Sequence, residues 1–197
     1  MAAIQSKVGT DLIEDLPIKF TAVAANIAAK KEHWFQSGAI DQAIRASVSL
    51  PLFFTPHNVG GVQLTDGGIL NPTPIEPTLG DDTDLTLAVD LGGSMMKEAI
   101  PEPEKAQSPW QQKMDDFLDS MKSSESKPKD EWDMFYIADQ SFNTMQNAIA
   151  RIRMADNPPD HLISIPRNKC GTLAFDRSAE MIEYGYQLTE KQLSGKI

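Results

Sequence analysis

The apolar positions of this chain change period several times, and each change predicts an element. From Ile18 to Ala25 (IKFTAVAA) branched or aromatic residues alternate with small ones directly after Pro17, the two-residue period of a strand entering a core. Glu32 to Phe35 is predicted to pair back on it as a hairpin. After Ser37 and Gly38 the period lengthens: Ile40, Ala43, Ile44 and Ser47 recur at helical spacing in AIDQAIRASVS, which sets Asp41 and Arg45 on the outer face. The residue before Pro51 is biased away from helical angles, so this helix ends by Leu50. Val62 to Thr65 alternates again as a short strand, delivered by Gly60 and Gly61 and stopped by Asp66, Gly67 and Gly68. A carboxylate is therefore expected at a strand end.

Leu85 to Leu91 (LTLAVDL) is a nearly continuous apolar run, the pattern of a strand buried on both faces of a parallel sheet with helices on its two sides. At Gly92 the composition shifts to Pro, Ser, Lys and acids. The stretch to Asp130 reads as a partly mobile acidic insertion at about 92–130, with one helix around Trp110 to Met121. Beyond it Phe135, Ala138, Phe142, Met145, Ile149 and Ile152 form an apolar stripe at alternating spacings of three and four, the period of a buried helix face. Arg151 and Arg153 sit near its C-terminal end, where cations suit the helix dipole. His161 to Ile165 reads as a last short strand, and Asp176 to Leu193 as a terminal helix with Asp176 as N-cap.

At 197 residues and 41% hydrophobic content the chain is long enough for one globular unit with a real core. Eighteen Lys and Arg against 28 Asp and Glu give a net charge of -10. Nucleic acid is excluded as an expected partner, because no basic field exists to displace counterions from phosphates. Adhesion to anionic membranes through a polybasic patch is disfavoured for the same reason, and no apolar run approaches the roughly 20 residues of a spanning helix. The N-terminal MAAIQSKVGTDL carries no readable secretory signal, so a cytoplasmic location is the expectation. The one cysteine, Cys170, has no Cys or His at zinc-ligand spacing and reads as a buried or half-buried structural thiol. No cofactor and no metal is expected.

Chemistry is expected at Asp66. A solvated carboxylate has a pKa near ~3.9 and is a feeble base toward a hydroxyl, so an aspartate that activates one must be poorly hydrated and in direct hydrogen-bond contact with it. A strand end followed by two glycines allows a sharp turn and close packing around such a carboxylate, although the same tripeptide also marks ordinary turns. Asp90 is the rival carboxylate but lacks the glycine pair. Asp81, Asp82 and Asp84 lack the spacing and closing Glu of a metal loop.

Three segments in order, LPIKFTAVAAN with HWFQSG, AIRASVSLPLFFTP, and LTDGGILNPTPI, resemble the patatin-like phospholipase family, as do RIRMADNPPDHLI and DRSAEMIEYGY further on. The resemblance implies the C-terminal portion of a patatin-like three-layer α/β fold, with a mostly parallel central sheet flanked by helices. It implies further a serine-dependent lipid or ester acyl hydrolase in which the aspartate of the Asp-Gly-Gly motif, here Asp66 with Gly67 and Gly68, is the only protein partner of the nucleophile. The Gly-x-Ser-x-Gly elbow and the glycine-rich oxyanion loop of that family occur nowhere in this sequence. In relatives both precede the blocks found here, so the chain is expected to be the C-terminal part of a longer domain, 1–197, with its serine supplied from upstream.

Ser47 and Ser49 lie in a helix end before Pro51, with no elbow around them, and His33, His57 and His161 have no nucleophile motif nearby. A rival reading is a non-catalytic descendant that binds lipid or regulates a partner. Nucleotide binding through Gly60–Gly61 or Gly67–Gly68 is disfavoured, because neither pair has the spacing of a phosphate loop. If upstream strands normally pair beside Leu85 to Leu91, the chain exposes an apolar sheet edge and is expected to be aggregation-prone or to form homo-oligomers through it.

The absence of an elbow makes the first prediction. The purified chain is expected to show no ester hydrolysis above background and no labelling by a fluorophosphonate probe; stoichiometric labelling of Ser47, Ser49 or another serine would overturn this account of the nucleophile.

Overall fold

A computed structural model describes residues 6, 8–9, 11–51, 53–94, 134–171 and 174–194. The insertion expected at about 92–130, with its Trp110 to Met121 helix, lies almost wholly outside the described residues. The structure is mixed α/β. Its strands are β1 (Ala22–Asn26), β2 (Lys31–Phe35), β3 (His57–Val59), β4 (Val62–Asp66), β5 (Leu87–Gly93) and β6 (His161–Pro166). Its helices among the described residues are α1 (Ile40–Ser47), α2 (Met134–Asp156) and α3 (Ser178–Leu193). Contacts divide the chain into two compact units, one of Met1–Ala88 with Ala138–His161 and one of Val89–Ile137 with Leu162–Ile197.

The first unit is built on a four-stranded sheet of order β2-β1-β4-β3. The expected hairpin forms, with Ala22 opposite Phe35 and Asn26 opposite Lys31. β4 pairs on the other side of β1, placing Asp66 opposite Ala24, and β3 pairs with β4 through the Gly60–Gly61 turn. Both glycines have positive φ, as a two-residue hairpin turn requires, which accounts for that pair without any phosphate. All three pairings are antiparallel, so the mostly parallel sheet expected from the resemblance is met only in part. β5 and β6 form a separate two-stranded sheet. The His161 N–H donates to the Thr86 carbonyl where they begin, and a side chain on Gly93 would meet the Ile165 carbonyl oxygen at 2.7 Å near their ends, so these two run parallel.

α1 packs on the four-stranded sheet through small residues. Ala24, Ala43 and Ala46 are all 0% exposed and, with Ile13, Ala22, Phe35, Ile40 and Leu64, form the core of this unit. Small side chains let helix and sheet backbones approach, and Leu64 fills the remaining space. The expected outer face of α1 is corrected at Asp41, which is 3% exposed and accepts a hydrogen bond from the Gln42 N–H. A carboxylate in the first turn of a helix meets unpaired N–H groups and the positive end of the dipole, which is what makes burial there tolerable. Arg45 folds back over the loop after the helix, stacked 5.6 Å from the Phe54 ring centre and donating to Ser49 Oγ.

Two further expectations are revised. β5 is not buried on both faces: Leu87, Val89 and Leu91 are exposed while Ala88 is buried, the alternation of a strand covered on one side. In α2 the apolar stripe is not the packed face. Met145 and Ile152 are exposed, and the side chain of Phe135 lies outside the described residues. The residues one position along have the same spacing: Asn143 and Ala150 are buried, Gln146 lies against Gly68, and Arg153 bonds Glu32 and Glu76.

In the second unit, Ile163 of β6 is 2% exposed. α3 is preceded by a 3-10 turn, Phe175–Arg177, that contains Asp176, so Asp176 is not the helix N-cap. Arg177 and Lys169 both grip Glu180 instead and draw its carboxyl down to about 2. Lys169 also lies 4.6 Å from the Tyr184 ring centre. Cys170 is half-buried, as expected. No helix among the described residues is long and apolar enough to cross a membrane.

The burial pattern separates two leucines. Leu64→Ala, at a fully buried site, is expected to cost about 2–5 kcal/mol, whereas Leu91→Ala, 67% exposed, should change stability by no more than about 0.5 kcal/mol. Urea unfolding of both variants checks this, and a large loss at Leu91 would contradict the exposed face of β5.

Candidate functional site

Asp66 is the last residue of β4, and the chain turns at once into a 3-10 turn, Gly67–Ile69. Three bonds hold the corner. The Asp66 N–H and the Thr65 hydroxyl both donate to the Ser49 carbonyl, tying the end of β4 to the turn after α1, and the Gly68 N–H donates to Asp66 Oδ1 at 2.6 Å. The two glycines are needed for space. A strained backbone is not the reason, since neither glycine has positive φ. A Cβ on Gly67 would lie 2.3 Å from the Val23 carbonyl oxygen of β1, and one on Gly68 would lie 2.7 Å from Gln146 Nε2 and 2.9 Å from Asp66 Oδ1.

The Asp66 carboxylate lines a cleft of about 410 Å³, within the size range of small-molecule sites. Phe20, Val23, Ile44 and Val48 supply apolar wall, and Thr21, Ser47, Asp66 and Asn71 the side chains that carry oxygen. Burial pushes the Asp66 pKa above the ordinary carboxylate range, with the Gly68 hydrogen bond opposing the shift. A partly dehydrated carboxylate is a stronger base than a solvated one.

Behind the cleft lies an ionic cluster that the sequence did not disclose. Arg153 of α2 donates to Glu32 of β2 at 2.7 Å and to Glu76 at 3.0 Å, and Asn71 donates to both carboxylates. Trp34 Nε1 adds a bond to Glu32 at 2.8 Å. For Glu76, burial alone would raise the pKa, but hydrogen bonds from Asn71, from its own backbone and from Arg153 outweigh it and hold the carboxyl below the usual range. The Asn71 N–H in turn donates to the Gly67 carbonyl, so the cluster reaches the turn that follows Asp66. Asn71 stands in the quoted LTDGGILNPTPI block and was readable by position; Glu32, Glu76 and Arg153 are too far apart in sequence for any spacing to join them.

The other candidates fall outside the cleft, with one exception. Ser49 is fully buried and its hydroxyl donates to the Arg45 carbonyl. Ser47, by contrast, lines the same cleft as Asp66. His57 belongs to β3 and not to a loop; it bonds Gln42 at 2.6 Å, and burial and Arg45 lower its pKa. His33 packs edge-on to Phe35, and His161 begins β6. Asp90 sits within β5 and accepts from the Gly92 N–H, and Asp81 pairs with Lys19. No group of three or more metal-binding side chains occurs among the described residues.

Comparison with known proteins gives the family to which this cleft belongs. The profile of the patatin-like phospholipase family matches residues 3–79. An uncharacterized NTE family protein of Mycobacterium tuberculosis (strain H37Rv) is 32% identical over 241 residues, covering 97% of this chain and 67% of the relative. A second such protein of the same strain is 34% identical over 88 residues, covering 45% of this chain and 15% of the relative. The lysophospholipase nte1 of Aspergillus fumigatus is 31% identical over 84 residues, covering 43% of this chain and 6% of the relative. The chain belongs to the patatin-like phospholipase family, a family of lipid hydrolases.

The raised pKa of Asp66 carries a sign that can be checked. A carboxyl whose pKa rises on folding contributes stability that is full below its unfolded value, near ~3.9, and is lost as pH rises through its folded value. Asp66→Asn keeps an oxygen for the Gly68 N–H and removes the buried charge. It is expected to raise Tm at neutral pH, with the difference closing toward about pH 3; a variant less stable at neutral pH would show that the carboxylate is not desolvated.

Proposed function

We propose that this chain supplies the aspartate half of a serine-dependent lipid acyl hydrolase site, with Asp66 as general base. The observation that carries the reading is the partly dehydrated Asp66 carboxylate on the wall of a cleft that also presents the apolar side chains of Phe20, Val23, Ile44 and Val48. In this mechanism Asp66 takes the proton of a serine hydroxyl as its oxygen attacks the ester carbonyl. The proton then passes to the departing alcohol, and water, activated by the same carboxylate, releases the acid from the acyl-serine. The apolar walls hold the acyl chain, and a lysophospholipid is the substrate class that the fungal relative's name points to. In this reading the nucleophile comes from a Gly-x-Ser-x-Gly segment outside these 197 residues, so that activity needs both pieces.

Co-expression of this chain with the N-terminal segment of a patatin-like relative that bears the elbow tests the proposal. Ester hydrolysis is expected to appear and to fall by about 10²–10⁴-fold in Asp66→Asn, with a matching loss when the added serine is replaced by alanine. Stable association with lipid binding but no hydrolysis would favour the non-catalytic binding module instead. Hydrolysis unaffected by Asp66→Asn would remove Asp66 as the base.

A further inference from the structure

β4 runs past its partner on one side before it reaches Asp66. β3 pairs with it as far as His57 opposite Leu64, and the same register continued would set Thr55 opposite Asp66. The Asp66 N–H goes elsewhere: it donates at 2.9 Å to the Ser49 carbonyl, which also accepts from the Thr65 hydroxyl. A carbonyl oxygen has two lone pairs, and this one gives both to the end of β4. The turn after α1 thus takes the place of a neighbouring strand at the residue that matters most.

Side-chain chemistry sets where that carbonyl stands. Ser49 is 0% exposed; its hydroxyl donates to the Arg45 carbonyl at 2.7 Å and accepts from Arg45 Nη1. Arg45 Nη2 donates to the Thr55 carbonyl at 3.4 Å, and the guanidinium lies over the Phe54 ring. One half-buried side chain therefore holds the loop between Ser49 and Thr55 at both ends. The cleft draws its walls from the two elements that Ser49 bonds: Ile44, Ser47 and Val48 from α1 and its end, Asp66 to Gly68 from the end of β4.

We propose that Arg45, acting through Ser49, is a positioning residue for Asp66: it fixes the Ser49 hydroxyl and the Thr55 carbonyl, and with them the Ser49 carbonyl that stops Asp66 at the cleft wall. The inference rests on the reading of Asp66 as general base. A base has to stand within hydrogen-bond reach of the hydroxyl it deprotonates, and a misplacement of about 1 Å can cost ~10²-fold in rate.

The test measures amide hydrogen exchange and the 13C titration of the Asp66 carboxyl in the full 197-residue chain, in Arg45→Met and in Arg45→Lys. Methionine keeps an apolar stem for Phe54 and removes both donors. In Arg45→Met the Asp66 amide is expected to exchange about tenfold faster, while the amides of the β1–β2 hairpin keep their rates. The Asp66 carboxyl should titrate closer to the ordinary carboxylate range as water reaches it. Burial is the largest influence on that carboxyl and the charge of Arg45 is not among the others, so the change reports position and hydration. Arg45→Lys, which keeps a donor for Ser49 Oγ, should restore most of the protection. In the complex co-expressed with the serine-bearing segment, Arg45→Met should lower kcat by about 10²-fold and leave KM within about twofold. Arg45→Gln repeats the comparison if Arg45→Met does not fold. Unchanged exchange and titration at Asp66 overturn the inference, as does a loss of protection spread evenly over the sheet or an unchanged kcat. Absence of hydrolysis in the wild-type complex would fell the proposed function and leave the exchange result to decide the role of Arg45.

Discussion

The carbonyl oxygen of Val23 leaves room for a hydrogen and nothing larger at the residue after Asp66. That close approach of β1 to the turn after β4 is the constraint on which the site depends. It lets β4 end in a tight turn against its neighbour and so stops the Asp66 carboxylate at the wall of a cleft. The pairing of Asp66 with Ala24 and the two donors given to the Ser49 carbonyl fix the same corner from the other sides. Gly67 is therefore a packing requirement, and the chemistry of Asp66 follows from it. The carboxylate loses water because the backbone around it is close, and losing water makes it a better base.

The second element of the design is the cluster around Arg153. Partly exposed ion pairs add little by themselves, but this cation bridges two mostly buried carboxylates that would otherwise repel each other. It brings α2 to β2 and to the Asn71 segment in one step. Removing one member of such a set leaves charges without compensation, which is the costly case. The cluster also explains why the packed face of α2 is its polar stripe. Gln146 lies against Gly68 and Arg153 bonds Glu32 and Glu76, Asn143 and Ala150 of the same face are buried, and Met145 and Ile152 of the apolar stripe one residue away are exposed.

Much of the local structure was legible in the sequence, because it rests on short-range causes. The period of two at Ile18–Ala25 and Val62–Thr65, the period of 3.6 at Ile40–Ser47, the stop before Pro51 and the Gly60–Gly61 turn each depend on residues within a few positions of one another. The hairpin of β1 and β2 and the strand-end placement of Asp66 follow from these. Where a face had to be assigned, periodicity was insufficient. It identified α2 as a helix but not which side it packs, and it identified β5 as a strand but not that only one side is covered. Asp41 shows the same limit, since a charged residue in a first helical turn can be buried when the N–H groups there receive it.

The sequence by itself determined the family, through the ordered blocks from Leu16 to Ile75, and singled out Asp66 with its two glycines, because a motif is a local pattern of residue types. Only the tertiary structure decided that the glycines serve close packing and not an unusual φ, and that Ser47 shares the cleft while Ser49 does not. It alone joined Glu32, Glu76 and Arg153 around Asn71. Those outcomes turn on distances between residues up to 121 positions apart, and such distances are set by how strands pair and helices dock, which no spacing along the chain encodes.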